Sequence, residues 1–300
     1  MSEANKKEGN LMTKHLLNRR IHLAGVALAA GTLLSAGTVQ AQDKGSVHLA
    51  YVEWASTVAS TTVMQAVLEQ AGFDVETSSL SAAAMWQSVA TGDTDALLAG
   101  WLPVTHEDYH NKLKDDLVDA GVSLEGAKLG MVVPAYSDVN SIADMNEHAD
   151  SFDGKITGID PGAGVMRLTE DVINDYALDY NLVSGSGATM TAALKSAINN
   201  EEDIAVTGWT PHWMFARWDL KFLEDPKAIY GGEEQIHTFT RKGLKEDMPE
   251  AYEILSNFKW NTEQMGEVML MQEAGGDPYE AARKWVDENQ DIVQEWLPKN

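Results

Sequence analysis

Asp95-Ala96-Leu97-Leu98-Ala99-Gly100-Trp101-Leu102-Pro103 and Asp203-Ile204-Ala205-Val206-Thr207-Gly208-Trp209-Thr210-Pro211 are two copies of one pattern. Each is an Asp, a short, mostly apolar run, then Gly-Trp-x-Pro, and the tryptophans stand 108 residues apart. The likeness continues upstream at the same offset, with Ser88 matching Ser196, Trp86 matching Leu194 and Asp93 matching Glu201. Each copy reads as a helix, a polar turn and an apolar strand that ends on the tryptophan. Ligands of open α/β sheets bind beyond the carboxyl ends of the strands. Two such units therefore predict two related lobes, each delivering a tryptophan to a shared cleft.

The surroundings of both copies fit that reading. Val47–Val52, Val75–Leu80 and Ala96–Ala99 are expected strands, separated by two helices, the first capped by Ser56 and the second starting at Ser81, with Gly72 and Gly92 as their stops. Thr105 is the expected cap of a further helix to Leu113, and Lys128–Val133 a further strand. The rhythm restarts with a strand at Lys155–Ile159, a turn at Asp160-Pro161-Gly162-Ala163-Gly164 and a helix from Val165 to Tyr176. A short strand Leu182-Val183, a helix Ala188–Ile198 and the strand Ile204–Thr207 follow, and Thr238–Arg241 leads back to the first lobe. Three helices, Pro249–Phe258, Thr262–Glu273 and Pro278–Trp296, close the chain. Alternating strands and helices predict parallel pairing. The expected division is lobe I from residues 46–133 plus 235–300 and lobe II from residues 134–234, with the chain crossing near Val133–Pro134 and Glu233–His237.

Residues 1–41 read as a secretory signal. Lys14, Arg19 and Arg20 precede an apolar stretch from Ile21 to Ala36, and Val39-Gln40-Ala41 offers small residues for cleavage after Ala41. There is no cysteine, which excludes disulfides, thiolate metal sites, a cysteine nucleophile and a lipid anchor on cysteine. The chain carries 22 Lys/Arg against 46 Asp/Glu, a net charge of −24. Such a balance repels polyphosphate, so nucleic acid is not an expected partner.

The residues offer two chemistries. His106-Glu107-Asp108-Tyr109-His110 matches the His-Glu-x-x-His pattern of zinc hydrolases, but Pro103 and Thr105 put His106 at a helix start and no third ligand is evident. The other reading uses the tryptophans. Trp54, Trp101 and Trp209 each follow an apolar strand, where a ring points into a cleft. Trp86, Trp260, Trp285 and Trp296 fall where core packing is expected, and Trp213 and Trp218 follow the second repeat, to line or support the pocket wall. A quaternary ammonium has no N–H to donate and is best held by aromatic faces, tryptophan above all. A carboxylate on the same ligand needs convergent donors, which the turn at Gly162-Ala163-Gly164-Val165 offers as free amides at a helix start, with His106 as another donor. The turn is not a dinucleotide fingerprint, since Leu168-Thr169 stands where a glycine is needed.

Four stretches carry a family resemblance: Ala50-Tyr51-Val52-Glu53-Trp54-Ala55-Ser56, Gly100-Trp101-Leu102-Pro103-Val104-Thr105-His106, Gly158-Ile159-Asp160-Pro161-Gly162-Ala163-Gly164 and Gly208-Trp209-Thr210-Pro211-His212-Trp213-Met214. The sequence resembles the glycine betaine-binding proteins of ABC importers, the OpuAC-like branch of the type II periplasmic-binding fold, over nearly all of residues 46–296. The resemblance implies an α/β, two-lobed binding protein, not an enzyme, with no cofactor. It implies capture of glycine betaine or a related compatible solute (carnitine, choline and proline betaine being alternatives) for a membrane permease and its ATPase. It implies that Trp54, Trp101 and Trp209 box the trimethylammonium group and that His106 with the amides of Gly164 and Val165 holds the carboxylate. Many Gram-positive members are lipoproteins; the absence of cysteine departs from that and implies a freely soluble periplasmic protein.

Overall fold

A computed structural model describes residues 44–299; the expected signal segment lies outside them. The first half alternates as its periodicity requires: β1 (Ser46–Tyr51), α1 (Ala55–Gln70), β2 (Asp74–Ser79), α2 (Ala82–Thr91), β3 (Ala96–Leu102) and α3 (Glu107–Leu113). β1 pairs in parallel with both β2 and β3. Gly92 closes α2 in the left-handed conformation, φ 80°, which a residue without Cβ adopts at no steric cost. Two expected caps are corrected. Trp54, not Ser56, is the N-cap of α1, and Ser56 lies buried within the first turn. His106, not Thr105, precedes α3, because the Thr105 amide and hydroxyl are taken by Glu234.

β4 (Leu117–Pro134) is 18 residues long, far longer than the expected Lys128–Val133. It is followed by a 3-10 segment at Ile142–Phe152, β5 (Lys155–Thr157), α4 (Gly164–Asp175), β6 (Asn181–Val183), α5 (Gly187–Asn200), β7 (Ala205–Thr210), α6 (Met214–Arg217), β8 (Leu220–Phe222) and β9 (Glu234–Arg241). The order across the sheet is β2-β1-β3-β9-β4-β7-β5-β6, with β8 on β4. Read inward from either edge it is the same arrangement, with β6-β5-β7-β4 mirroring β2-β1-β3-β9. The expected parallel pairing holds at the outer strands, while β3–β9, β9–β4 and β4–β7 are antiparallel. β4 pairs with β9 up to Ala127, opposite Glu234, and with β7 from Lys128, opposite Thr210. The change of partner thus falls six residues before Val133.

The two repeat motifs occupy β3 and β7, equivalent positions in the two halves. A Cβ on Gly100 would lie 2.4 Å from the Phe239 ring, and one on Gly208 would lie 2.4 Å from Val132 Cγ2. In both, a side chain of the antiparallel neighbour lies across the strand, which is why glycine precedes each tryptophan. The peptides before Pro103 and Pro211 are both cis. At the base of the first repeat, Asp95 accepts from the His48 amide at 2.7 Å and from Arg241 Nε at 2.6 Å, tying β1, β3 and β9 together.

The chain closes with α7 (Leu244–Asp247), α8 (Pro249–Asn257), α9 (Thr262–Glu273), α10 (Pro278–Glu288) and α11 (Gln290–Trp296). The expected single helix Pro278–Trp296 is broken at Asn289, whose backbone leaves the helical region. Asn261 and Gln264 form a capping box for α9, satisfying two otherwise orphaned amides. Trp260, Trp285 and Trp296 pack together with Phe258 in this helical region. All four are buried, the packing role expected of the three tryptophans.

Candidate functional site

Trp54 is carried by the turn from β1 to α1, Trp101 by the end of β3 and Trp209 by the end of β7. All three are at most 7% exposed, and all three line one cavity with about 310 Å³ of empty space, its mouth included. His106, Gly164 and Val165 line the same cavity, together with Ser56, Thr105, Leu129, Ile159 and Ala163. The six residues singled out in the sequence therefore converge, although they come from five separate segments of both halves. Trp213 and Trp218 do not reach this cavity. They line an outer groove with His212, Lys195 and Arg217, and His212 bridges Trp213 to the Trp209 wall.

His106 sits between two indoles, stacked on Trp54 at 5.7 Å and edge-on to Trp86 at 5.8 Å. Trp86 is fully buried as expected, but it also backs the His106 ring. The Trp101 amide donates to His106 Nδ1 at 3.0 Å. Burial pushes the imidazole down to about 3, with the Ala99 carbonyl opposing and the Arg167 charge adding to the effect. The ring is therefore neutral at physiological pH, and with Nδ1 accepting, its proton is on Nε2. The site holds a donor of fixed tautomer without a buried positive charge.

α4 begins at Gly164 after Ala163, which has no side-chain cap to offer. The first amides of a helix have no partner within it, so Gly164 and Val165 present N–H groups and the positive end of the helix dipole to the cavity they line. A Cβ on Gly164 would lie 2.2 Å from the Thr105 carbonyl oxygen; glycine is what lets the two backbones approach.

The halves are clasped around the cavity. Trp54 Nε1 donates to Asp160 Oδ2 at 2.7 Å. The Tyr109 hydroxyl donates to the Gly162 carbonyl at 2.9 Å. Arg167 donates to the Val104 carbonyl at 3.1 Å and pairs with Asp108 at 3.1 Å. Asp160 was visible in the sequence only as part of a turn; its carboxylate had no local signal marking it as a partner of Trp54. Glu234 had no signal at all. It is buried, and it accepts from the amides of Val104 at 2.6 Å and Thr105 at 2.8 Å, and from the Thr105 hydroxyl.

The His-Glu-x-x-His match gains no support from the geometry. His106 commits Nδ1 to the Trp101 amide, His110 packs against Phe239 at 5.6 Å, and among the described residues no three metal-ligating side chains come together.

A model of the substrate-binding domain of ABC-type glycine betaine transport systems matches residues 45–288. Over 144 residues the chain is 55% identical to the glycine betaine/carnitine transport binding protein GbuC of Listeria monocytogenes, a match that covers 47% of this chain and 48% of that relative. The matched part thus spans about half the length of that relative. Lactococcal OpuAC, solved in a closed form with glycine betaine, is 44% identical with a TM-score of 0.81, covering 85% of this chain and all of that one. The glycine betaine/L-proline-binding protein ProX of Borrelia burgdorferi is 38% identical with a TM-score of 0.82, covering 85% of this chain and 97% of that one.

Proposed function

The chain belongs to the family of substrate-binding domains of ABC-type glycine betaine transport systems, and from that premise we propose that it captures glycine betaine, or a close methylated-ammonium relative, outside the cytoplasm and hands it to a permease driven by an ATPase. Trp54, Trp101 and Trp209 enclose the trimethylammonium. A desolvated cation on a tryptophan face gains about 2 kcal/mol, and three faces replace the hydration that such a cation cannot anchor by hydrogen bonds. The amides of Gly164 and Val165 and the Nε2–H of His106 donate to the carboxylate. The protein performs no chemistry on the solute; its work is selective capture. It is exported to the periplasm, with residues 1–41 removed on the way.

The observation that carries this reading is the convergence of three indoles, one neutral imidazole and one open helix start on a single cavity. The two halves act as lobes joined where β4 passes from β9 to β7 at Ala127–Lys128, and the contacts from Trp54, Tyr109 and Arg167 across the cleft hold the closed form. Titration by calorimetry or tryptophan fluorescence against glycine betaine, proline betaine, carnitine and choline tests it. Tight binding of at least one betaine is expected; no binding of any, or stoichiometric zinc in the purified protein, sinks it.

A further inference from the structure

We infer that Glu234 is the positioning residue that ties the interlobe crossing to the loop presenting His106; the inference rests on the proposed capture of a carboxylate-bearing ligand. Two things meet at this residue. Its backbone lies opposite Ala127, on the last rung before β4 leaves β9 for β7. Its side chain, 1% exposed, accepts from two successive amides, Val104 and Thr105, and from the Thr105 hydroxyl.

The loop it grips is the one that faces the other lobe. The Val104 carbonyl accepts from Arg167, the Thr105 carbonyl lies against Gly164, and His106 follows at once. None of the Val104 and Thr105 amides has a ladder partner, since the β3–β9 pairing ends at Leu102 opposite Gln235. Buried amides without partners are costly. Without the carboxylate the loop must turn those groups toward water, and the carbonyl and imidazole on its other side move with them. Glu234 does not reach the cavity lining; it acts through Thr105 and His106. Because it is anchored on the crossing strand, motion of one lobe against the other about that crossing is transmitted to the loop.

The test compares Glu234→Ala, Glu234→Gln and Thr105→Val in the full mature chain. In Glu234→Ala, glycine betaine affinity is expected to fall at least about tenfold, choline affinity to fall less, and the Val104 and Thr105 amides to exchange hydrogen faster than in the parent without ligand. Glu234→Gln, which keeps an acceptor for both amides, should recover most of the betaine affinity. A structural role alone would lower the melting temperature while leaving the betaine-to-choline ratio of the folded protein unchanged. That result, or unaltered exchange at Val104 and Thr105, overturns the inference. Should Glu234→Ala fail to fold, Thr105→Val carries the same two readouts, with a smaller loss expected and an unchanged ratio counting against it. If the parent protein binds no methylated ammonium, the proposed function fails, and the exchange rates decide the grip of Glu234 on the loop by themselves.

Discussion

The indole nitrogen of Trp54 donates to Asp160 Oδ2 at 2.7 Å, from one lobe to the other, 106 residues apart in sequence. One wall of the proposed cage is thus held by a carboxylate from the turn between β5 and α4. Because the bond joins the two lobes, it is expected to couple ring orientation to closure. Removing the acceptor with Asp160→Ala is expected to weaken betaine binding about tenfold, the low end for a bond to a charged group because Asp160 is half-exposed. Asp160→Asn keeps an oxygen and should lose less. Calorimetric titration of both variants checks this; equal losses would mean that the charge, not the hydrogen bond, is what counts.

The cage itself makes a graded prediction. Losing one ring at Trp101 or Trp209 should cost about 2 kcal/mol, roughly 30-fold in affinity. Phenylalanine should cost less than alanine, and leucine should resemble alanine, because it keeps apolar area without the quadrupole. Trp86 is a poor control, since it packs against His106. Trp285, remote in the C-terminal helices, is the better one, and Trp285→Phe should lower stability without changing affinity. If leucine serves as well as phenylalanine in the titrations, the cavity is merely apolar.

Gly164→Ala separates folding from closure. Its Cβ would meet the Thr105 backbone oxygen at 2.2 Å, an overlap that no side-chain rotation relieves, while alanine itself suits a helix start better than it harms it. Overpacking of about 1–3 kcal/mol then opposes only the closed form. Betaine affinity should fall roughly 5- to 150-fold with little change in the melting temperature of the ligand-free protein. Small-angle scattering should show less compaction on adding betaine than in the parent. Full compaction at ordinary affinity would show that Thr105 and Gly164 do not need their close approach.

Two buried imidazoles set the acid side of the stability curve. Burial holds both His106 and His212 at about 3 in the folded protein, against about 6.5 when unfolded. Between those values the unfolded chain binds more protons, so stability is full above pH 6.5 and is lost as pH falls toward 3. At pH 5.5 each imidazole accounts for a loss of about 1.4 kcal/mol. His212 Nδ1 accepts from the Met214 amide at 3.1 Å, a role an asparagine can imitate. Denaturant midpoints at pH 7.5 and 5.5 should therefore differ less in His212→Asn than in the parent, and an equal difference would show that His212 does not stay neutral.

Much of this protein was legible along the chain because strand and helix periods are local. Short apolar runs and the helices between them located β1, β3, β5 and β7 within a few residues, and the repeated Gly-Trp-x-Pro marked the edge at which two of the three cavity tryptophans emerge. The ligand chemistry proposed above rests on residue type: indole faces for a cation that cannot donate, open helix amides and an imidazole for an anion. What the chain could not disclose depends on how distant strands register. β4 hid most of its length because bulges between Asp119 and Gly121, Val122 and Leu124, and Leu124 and Ala127 break the alternation by which strands are recognised. The same strand, changing partners at Ala127–Lys128, sets how one half faces the other. Trp54 on Asp160, Thr105 on Gly164 and Glu234 on Val104 and Thr105 exist only in that apposition. A local pattern decides which edge a side chain leaves from; only the closed packing of two separately periodic halves decides what it meets there.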